Sequence, residues 1–206
     1  MTTRERPARP RNAQATKDAI AKAARRLFVQ QGYDRTGLRE IAGAADVDPA
    51  MIARYFGSKR ALFAQTVLPL LDAEILLTPD AGHWPQQVAR LAVDPAPVHK
   101  RDIDPTGALL LSIASREVAP MIVEALGHNA VAPLARHLRA HAGPPAADAD
   151  GREDGTLNAA FALAMLLGFD ALYRIAPLDA LRKADPDQLR DKLAAVLDAI
   201  VSPPAR

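Results

Sequence analysis

The residues able to do chemistry gather between Thr36 and Phe63, in the stretch TGLREIAGAADVDPAMIARYFGSKRALF. Ile52 and Phe56 recur at helical spacing and turn inward, which leaves Ala50, Met51, Ala53, Arg54 and Tyr55 facing outward. Such a face offers contacts to a partner. Elsewhere the reactive residue types are absent or scattered. The chain has no cysteine, so thiolate metal sites, disulfides and a cysteine nucleophile are excluded. No phosphate-binding glycine loop occurs, and the five histidines (His83, His99, His128, His137, His141) are dispersed. His137 and His141 are four apart, but no acidic third ligand is near them. Carboxylates cluster only in the loop Asp148–Asp154, which reads as solvated. No catalytic residue, metal or cofactor is expected. An enzyme is therefore the weaker reading.

Short elements must hold the exposed face. Thr36 is a candidate N-cap, with Leu38, Ile41, Ala42 and Ala45 following at helical spacing. Asp46 tolerates a left-handed turn, Asp48 caps the next helix, and Pro49 fits the first helical position, where its missing N–H costs nothing. The second helix spans Pro49 to Tyr55. Two helices this short around a tight turn match a DNA-reading helix-turn-helix. A longer helix precedes them, from about Thr16 to Gln31, with Ile20, Ala23, Ala24, Leu27 and Phe28 as its buried stripe and Gly32 ending it. After Gly57, Ser58 caps a further helix that runs through Val67, Leu70, Leu71 and Ile75 until Pro79.

Residues 16–63 resemble the N-terminal domain of TetR-type (tetracycline-repressor-like) transcriptional regulators. The matching pieces are Ala24-Arg25-Arg26-Leu27-Phe28, Gly32-Tyr33, Thr36, Ile41-Ala42, Val47-Asp48-Pro49-Ala50, Tyr55-Phe56-Gly57-Ser58-Lys59 and Leu62-Phe63. Two positions depart from the pattern. Asp46 stands where the family usually has Gly, and Ala53 where many relatives carry a larger side chain. The resemblance implies that Thr36, Tyr55 and Lys59 contact phosphates, and that Arg54 contacts a phosphate or a guanine edge. It further implies that Pro49, Ala50 and Met51 meet bases in the major groove, largely through thymine methyls.

Charge agrees with that assignment. The net charge of +2 divides unevenly, with 13 Lys/Arg against 6 Asp/Glu in residues 1–60 and 13 against 18 in the rest. A polyanion partner is expected for the N-terminal part alone. A constitutive nucleoid protein would carry its basic excess throughout. The tail 1–15, with Arg4, Arg6, Arg9 and Arg11 beside Pro7 and Pro10, is expected to be disordered. No apolar stretch follows it, so it does not read as a signal peptide. The apolar run Leu157–Phe169 falls short of the roughly 20 residues a bilayer needs. A cytoplasmic protein without a membrane partner is expected.

The chain as a whole reads as all-α, with an N-terminal three-helix head at 16–57 and a helical dimerisation and ligand-binding body at 58–206. In the body, helices are expected at His83–Leu91, Pro105–Arg116, Val118 to about Ala140 with a kink at Pro133, Thr156–Ile175, and Pro186–Val201 capped by Asp185. Loops are expected at Asp94–Pro105 and His141–Gly155. Thr156–Ile175 is apolar nearly all round and must be covered on more than one side. By the family's habit the last two long helices form a four-helix homodimer interface, through Phe161, Ala164, Met165, Gly168, Leu172, Leu193, Val196, Leu197 and Ile200. Candidate lining for a small-molecule effector is Leu71, Ile75, Trp84, Met121, Val123 and Phe169, with His128 or Asp170 as a polar contact. The expected whole is a repressor released from a pseudo-palindromic double-stranded DNA operator by a small apolar ligand, working through the helix Ser58–Leu77. The alternative is a ligand-independent regulator or an activator of the same fold.

Overall fold

A computed structural model describes residues 10–73, 76–77, 83–94, 105–141 and 151–201. The described residues are helices and their connections, with no strand among them. They form two compact units: one is built from the chain up to Leu70 together with Ala108–Met121, and the other from Leu71–Gly107 and Ile122 onward. The all-α class is as expected.

In the first unit α1 spans Pro10–Arg35, α2 Leu38–Ala44, α3 Pro49–Phe56 and α4 Lys59–Thr66. The α1 stripe Ile20, Ala23, Ala24, Leu27 and Phe28 is buried as its spacing required. Each large member contributes about 1.5–3 kcal/mol by leaving water. Phe28 meets Phe63 of α4 edge-on at 5.2 Å, and Tyr33 meets Phe63 likewise at 5.4 Å. Helix α1 begins at Pro10, inside the tail expected to be disordered; residues 1–9 lie outside the described residues. It breaks at Gly32, with φ 77°, and resumes for one more turn to Arg35. Helix α4 stops at Thr66, far short of Leu77, and Leu68–Leu70 form a single 3₁₀ turn. Pro69 has no N–H to continue the ladder, so the long lever helix expected from Ser58 to Leu77 does not exist.

The first unit's other segment arrives from far along the chain. Helix α6 spans Pro105–Ser112 and ends four residues earlier than expected. Its latter part and the turns after it bury Leu109, Ser112, Ser115 and Val118. Ser112 Oγ accepts the Tyr33 N–H at 3.0 Å, and Ser115 Oγ donates to Asp34 at 2.8 Å. The expected boundary after residue 57 leaves out both this segment and α4, which belong to the first unit.

In the second unit α5 spans Trp84–Val93, α7 Ala119–Leu126 (its first residues belong to the other unit), α8 Ala132–His141, α9 Gly151–Asp170, α10 Asp179–Arg182 and α11 Pro186–Val201. Trp84, Val88, Ala89 and Val93 pack with Leu189, Leu193, Ala194 and Leu197, joined by Leu134, Ala159, Ala162 and Leu166. Asp185 caps α11 as expected, accepting the Asp187 N–H at 2.9 Å and the Gln188 N–H at 3.1 Å. The helix expected across 118–140 is divided by a π turn at Gly127–Val131, just ahead of Pro133. Pro133 has no N–H to offer the Asn129 carbonyl four residues back. The Ala73 N–H takes that place at 3.1 Å.

Helix α9 starts at Gly151, within the expected loop, and its helical path closes with a π turn at Ala171–Ile175. The stretch Gly155–Ile175 is 21 residues, long and apolar enough by length and composition to cross a membrane. The apolar run Leu157–Phe169 is only the inner part of that stretch. Within the stretch Asp170 and Arg174 pair with each other, and Arg174 also donates to the Ala92 carbonyl at 2.6 Å.

Candidate nucleic-acid interface

Local signals build the helix-turn-helix. Gly37 is the N-cap of α2, and Glu40 reaches back to the Gly37 N–H at 3.5 Å while accepting from Gln31 Nε2 at 2.6 Å. The chain then turns through Asp46, whose φ of 53° is the single positive value at a non-glycine among the described residues. The Val47 N–H closes the turn on the Ala42 carbonyl at 3.0 Å. Asp48 accepts the Ala50 N–H at 2.7 Å with Pro49 in the first helical position, so α3 starts where the sequence placed it. Such a cap is worth about 1 kcal/mol. Gly57, with φ 81°, ends α3, and Ser58 accepts the Ala61 N–H at 3.1 Å to start α4.

Ile52 and Phe56 anchor α3 inward. Pro49, Ala50, Ala53 and Arg54 are exposed, while Met51, Tyr55 and Lys59 are half-buried. The α3 residues thus lie on or beside one solvent-facing side of the helix, and Lys59 follows at the start of α4. The Lys59 ammonium sits 4.3 Å from the centre of the Tyr33 ring, and Lys17 lies 5.6 Å from that of Phe56.

Thr36 departs from expectation. It is 1% exposed, and its hydroxyl donates to the Gly32 carbonyl at 2.7 Å. The side chain therefore neither caps α2 nor reaches a phosphate from this position. Glu40 three residues after Gly37 is capping-box spacing, a signal that would have moved the cap by one. Two further residues of this unit went unnoticed in the sequence. Arg39 on α2 is an exposed cation without an ion-pair partner among the described residues, as is Arg54. Tyr33 lies under Lys59, and its hydroxyl donates to Glu117 at 2.5 Å. Burial first, then that hydrogen bond and the negative charges of Glu117 and Asp34, hold the phenol well above its ordinary value. It stays a neutral donor at any physiological pH.

The expected effector residues do not gather. Trp84 is in the core, its indole N–H donating to the Leu76 carbonyl at 2.6 Å, and Leu71 is buried. Met121 belongs to the first unit, where its sulfur lies 2.9 Å from Arg60 Nε. His128 and Val123 are exposed, with the His128 ring bonded to the Glu124 carbonyl. Phe169 stacks on Tyr173 at 5.1 Å, and Asp170 is spent on Arg174. Ile75 lies outside the described residues. None of these lines the cleft of about 320 Å³ between α5 and α11, whose walls are polar: Gln86, Arg90, Asp94, Asp187, Arg190 and Asp191.

The expected interface residues divide. Phe161 is 58% exposed, Leu172 and Val196 are nearly half exposed, and Ala164 and Gly168 face solvent. Met165 and Ile200 are half-buried. Leu193 and Leu197 are not on that face: both are buried in their own protomer's core against α5. An apolar stripe records that a face is covered, but not by which chain.

Comparison with known proteins bears on the whole chain. Residues 20–66 match the family described as bacterial regulatory proteins, tetR family, and residues 83–201 match the tetracyclin repressor-like C-terminal domain. A probable HTH-type transcriptional regulator, YttP of Bacillus subtilis, is 45% identical over 53 residues, 26% of each chain. The HTH-type transcriptional regulator TcmR of Streptomyces glaucescens is 33% identical over 88 residues, 43% of this chain and 33% of that one. The match therefore spans about a quarter and a third of these two curated relatives. Among solved structures, a TetR-family regulator of Streptomyces coelicolor A3 aligns over 97% of this chain and 99% of its own, at 25% identity and TM-score 0.52. NalD of Pseudomonas aeruginosa aligns over 90% and 95%, at 22% identity and TM-score 0.59.

Proposed function

The chain belongs to the TetR family of bacterial regulatory proteins, and from that premise we propose that it is a cytoplasmic homodimeric repressor of transcription. It is a DNA-binding regulator and not an enzyme. In the proposal α3 is the recognition helix. Pro49, Ala50 and Met51 meet base edges, Arg54 a phosphate or guanine, and Tyr55 and Lys59 phosphates, while Arg39 takes up the phosphate role first given to Thr36. The head is the first unit, with α4 and residues 108–121 included. Repression follows the tetracycline-repressor likeness of the larger part of the chain.

The observation that carries the dimer is the exposure of three large apolar side chains, Phe161 and Leu172 along α9 and its π turn and Val196 on α11, which the proposal reads as one face. One chain presents one α3. Two chains meeting on that face present two, which is what a pseudo-palindromic operator with half-sites about 34–36 Å apart, or a multiple, requires. The test uses a labelled duplex of the DNA flanking the gene, titrated with purified protein and followed by in vitro transcription from that promoter. Binding with one dimer per pseudo-palindrome, together with a fall in transcript, supports the reading. Transcript that rises on binding replaces the repressor with an activator.

Release by a small apolar ligand is the last part of the proposal, and the size of the second unit supports it. One observation favours a ligand-independent regulator instead: the expected lining residues do not converge on a cavity. Trp84 is the sole tryptophan, so its emission reports on the second unit's core. A panel of apolar compounds titrated against Trp84 emission and the DNA complex together separates the two. A compound that moves both marks an effector; emission changes without loss of DNA favour the second reading.

A further inference from the structure

The Tyr33 ring is held on several sides. Its N–H is bonded to Ser112 Oγ at 3.0 Å and its hydroxyl to Glu117 at 2.5 Å, while Phe63 meets it edge-on and Phe28 stacks on it at 6.0 Å. The Lys59 ammonium lies over the ring, 4.3 Å from its centre. Tyr33 is 1% exposed, whereas Lys59 is half-buried. The ring is buried, and the lysine over it is in part open to solvent.

We propose that Tyr33 and Glu117 are positioning residues for Lys59, holding its ammonium where a DNA phosphate will meet it. The proposal rests on the reading of Lys59 as a phosphate contact. A free lysine surrenders much rotamer freedom when it binds, and one already seated on a ring has surrendered it beforehand. The ring attracts the cation through its electron-rich face. An ammonium has three donors, so those turned away from the ring stay available to phosphate oxygens. Glu117 helps hold the ring in place by accepting the hydrogen bond of the phenol hydroxyl. Residues 108–121, remote in sequence from the helix-turn-helix, therefore act on DNA affinity without touching DNA.

The experiment is fluorescence anisotropy with the full chain and a labelled duplex of arbitrary sequence, repeated over a range of salt. Arbitrary sequence suffices because a phosphate contact acts on every duplex. Lys59→Ala should weaken binding and flatten the log–log salt slope by about one. Tyr33→Leu should weaken binding about 2- to 5-fold in the Lys59 background and not at all in the Lys59→Ala background. Tyr33→Phe retains the ring and should lie nearer wild type, as should Glu117→Ala, whose small loss should likewise vanish without Lys59. If the Tyr33→Leu loss persists in Lys59→Ala, the residue acts through the fold and the proposal is overturned. If Lys59→Ala changes neither affinity nor slope, the phosphate reading falls and takes the proposal with it. Should Tyr33→Leu fail to fold, the Lys59 ε-methylene protons decide by NMR. A ring-current shift present in wild type and in Tyr33→Phe supports the seat, and unshifted protons in wild type overturn it.

Discussion

Gly32 and Leu111 meet backbone to backbone: a Cβ on Gly32 would lie 2.5 Å from the Leu111 carbonyl oxygen. Gly32 also holds φ at 77°, a value that side chains resist. Both demands fall on one residue, at the break where α1 turns toward Tyr33. Gly32→Ala should destabilise the protein by about 2–4 kcal/mol, from backbone strain and the clash together. The obstacle is backbone, which cannot rotate away as a flexible side chain could. Urea denaturation measures the loss, and a loss under about 1 kcal/mol would mean the Leu111 backbone yields easily.

The turn between α2 and α3 has the opposite character. Asp46 holds φ at 53° and is exposed, so its side chain costs strain without supplying burial. Asp46→Gly should leave stability unchanged or raise it by up to about 1 kcal/mol, with DNA affinity retained. Asp46→Val should lower stability by more than that, because a β-branched residue tolerates this conformation least. Paired thermal melts give the order. Equal melting of Gly and Val variants would show the turn is not strained.

Tyr33 gives the fold an alkaline limit. Its phenol is raised above the ordinary value, by burial first and the Glu117 hydrogen bond second. Above about pH 10 the unfolded chain loses this proton while the folded chain keeps it. The unfolded state then binds fewer protons, so stability falls as pH rises, by up to about 1.4 kcal/mol per unit. Below about pH 9 the contribution is fully present. Tyr33→Phe lacks the group, so the stability difference between wild type and variant should be flat at neutral pH and shrink above about pH 10. Parallel urea melts of the two proteins across that range check it.

The sequence displayed what is local. Asp48, Pro49, Gly57, Ser58 and Asp185 each set an element boundary through groups a few residues away, and all stand where their types demanded. Asp46 likewise declared its turn. Less legible was anything that depends on distant chain. Tyr33 and Glu117 are 84 residues apart, and no periodicity announces their bond. The inward turn of Thr36 follows from the free Gly32 carbonyl, which exists only because the helix breaks there. Helix α9 takes in Gly151 to Gly155 despite their weak propensity. Leu193 and Leu197 show the same limit on α11, where the stripe was correct and the neighbour was not.

That last distinction makes the dimer testable. Leu193 and Leu197 fill their own core, so truncating either to Ala should cost about 2–5 kcal/mol and lower the melting temperature whatever the oligomeric state. Gly168 differs, because a Cβ there would meet nothing within 4 Å in the single chain. Gly168→Leu therefore enters the protomer at an exposed position with room for its Cβ, and replacing a helix-interior glycine should favour α9 by up to about 1 kcal/mol. A change of assembly with helix content kept is then expected to come from outside the chain. If α9 packs closely against a second copy, the added side chain forces the helices apart, and a charge at exposed Ala164 does the same by desolvation. Wild type should sediment as a dimer at micromolar concentration. Gly168→Leu and Ala164→Glu should sediment as monomers with unchanged helix content by circular dichroism, and should lose operator binding. Wild type sedimenting as a monomer would remove the interface altogether. A dimeric Gly168→Leu would move the contact along α9 toward Leu157 and Phe161, which are more than half exposed in the single chain.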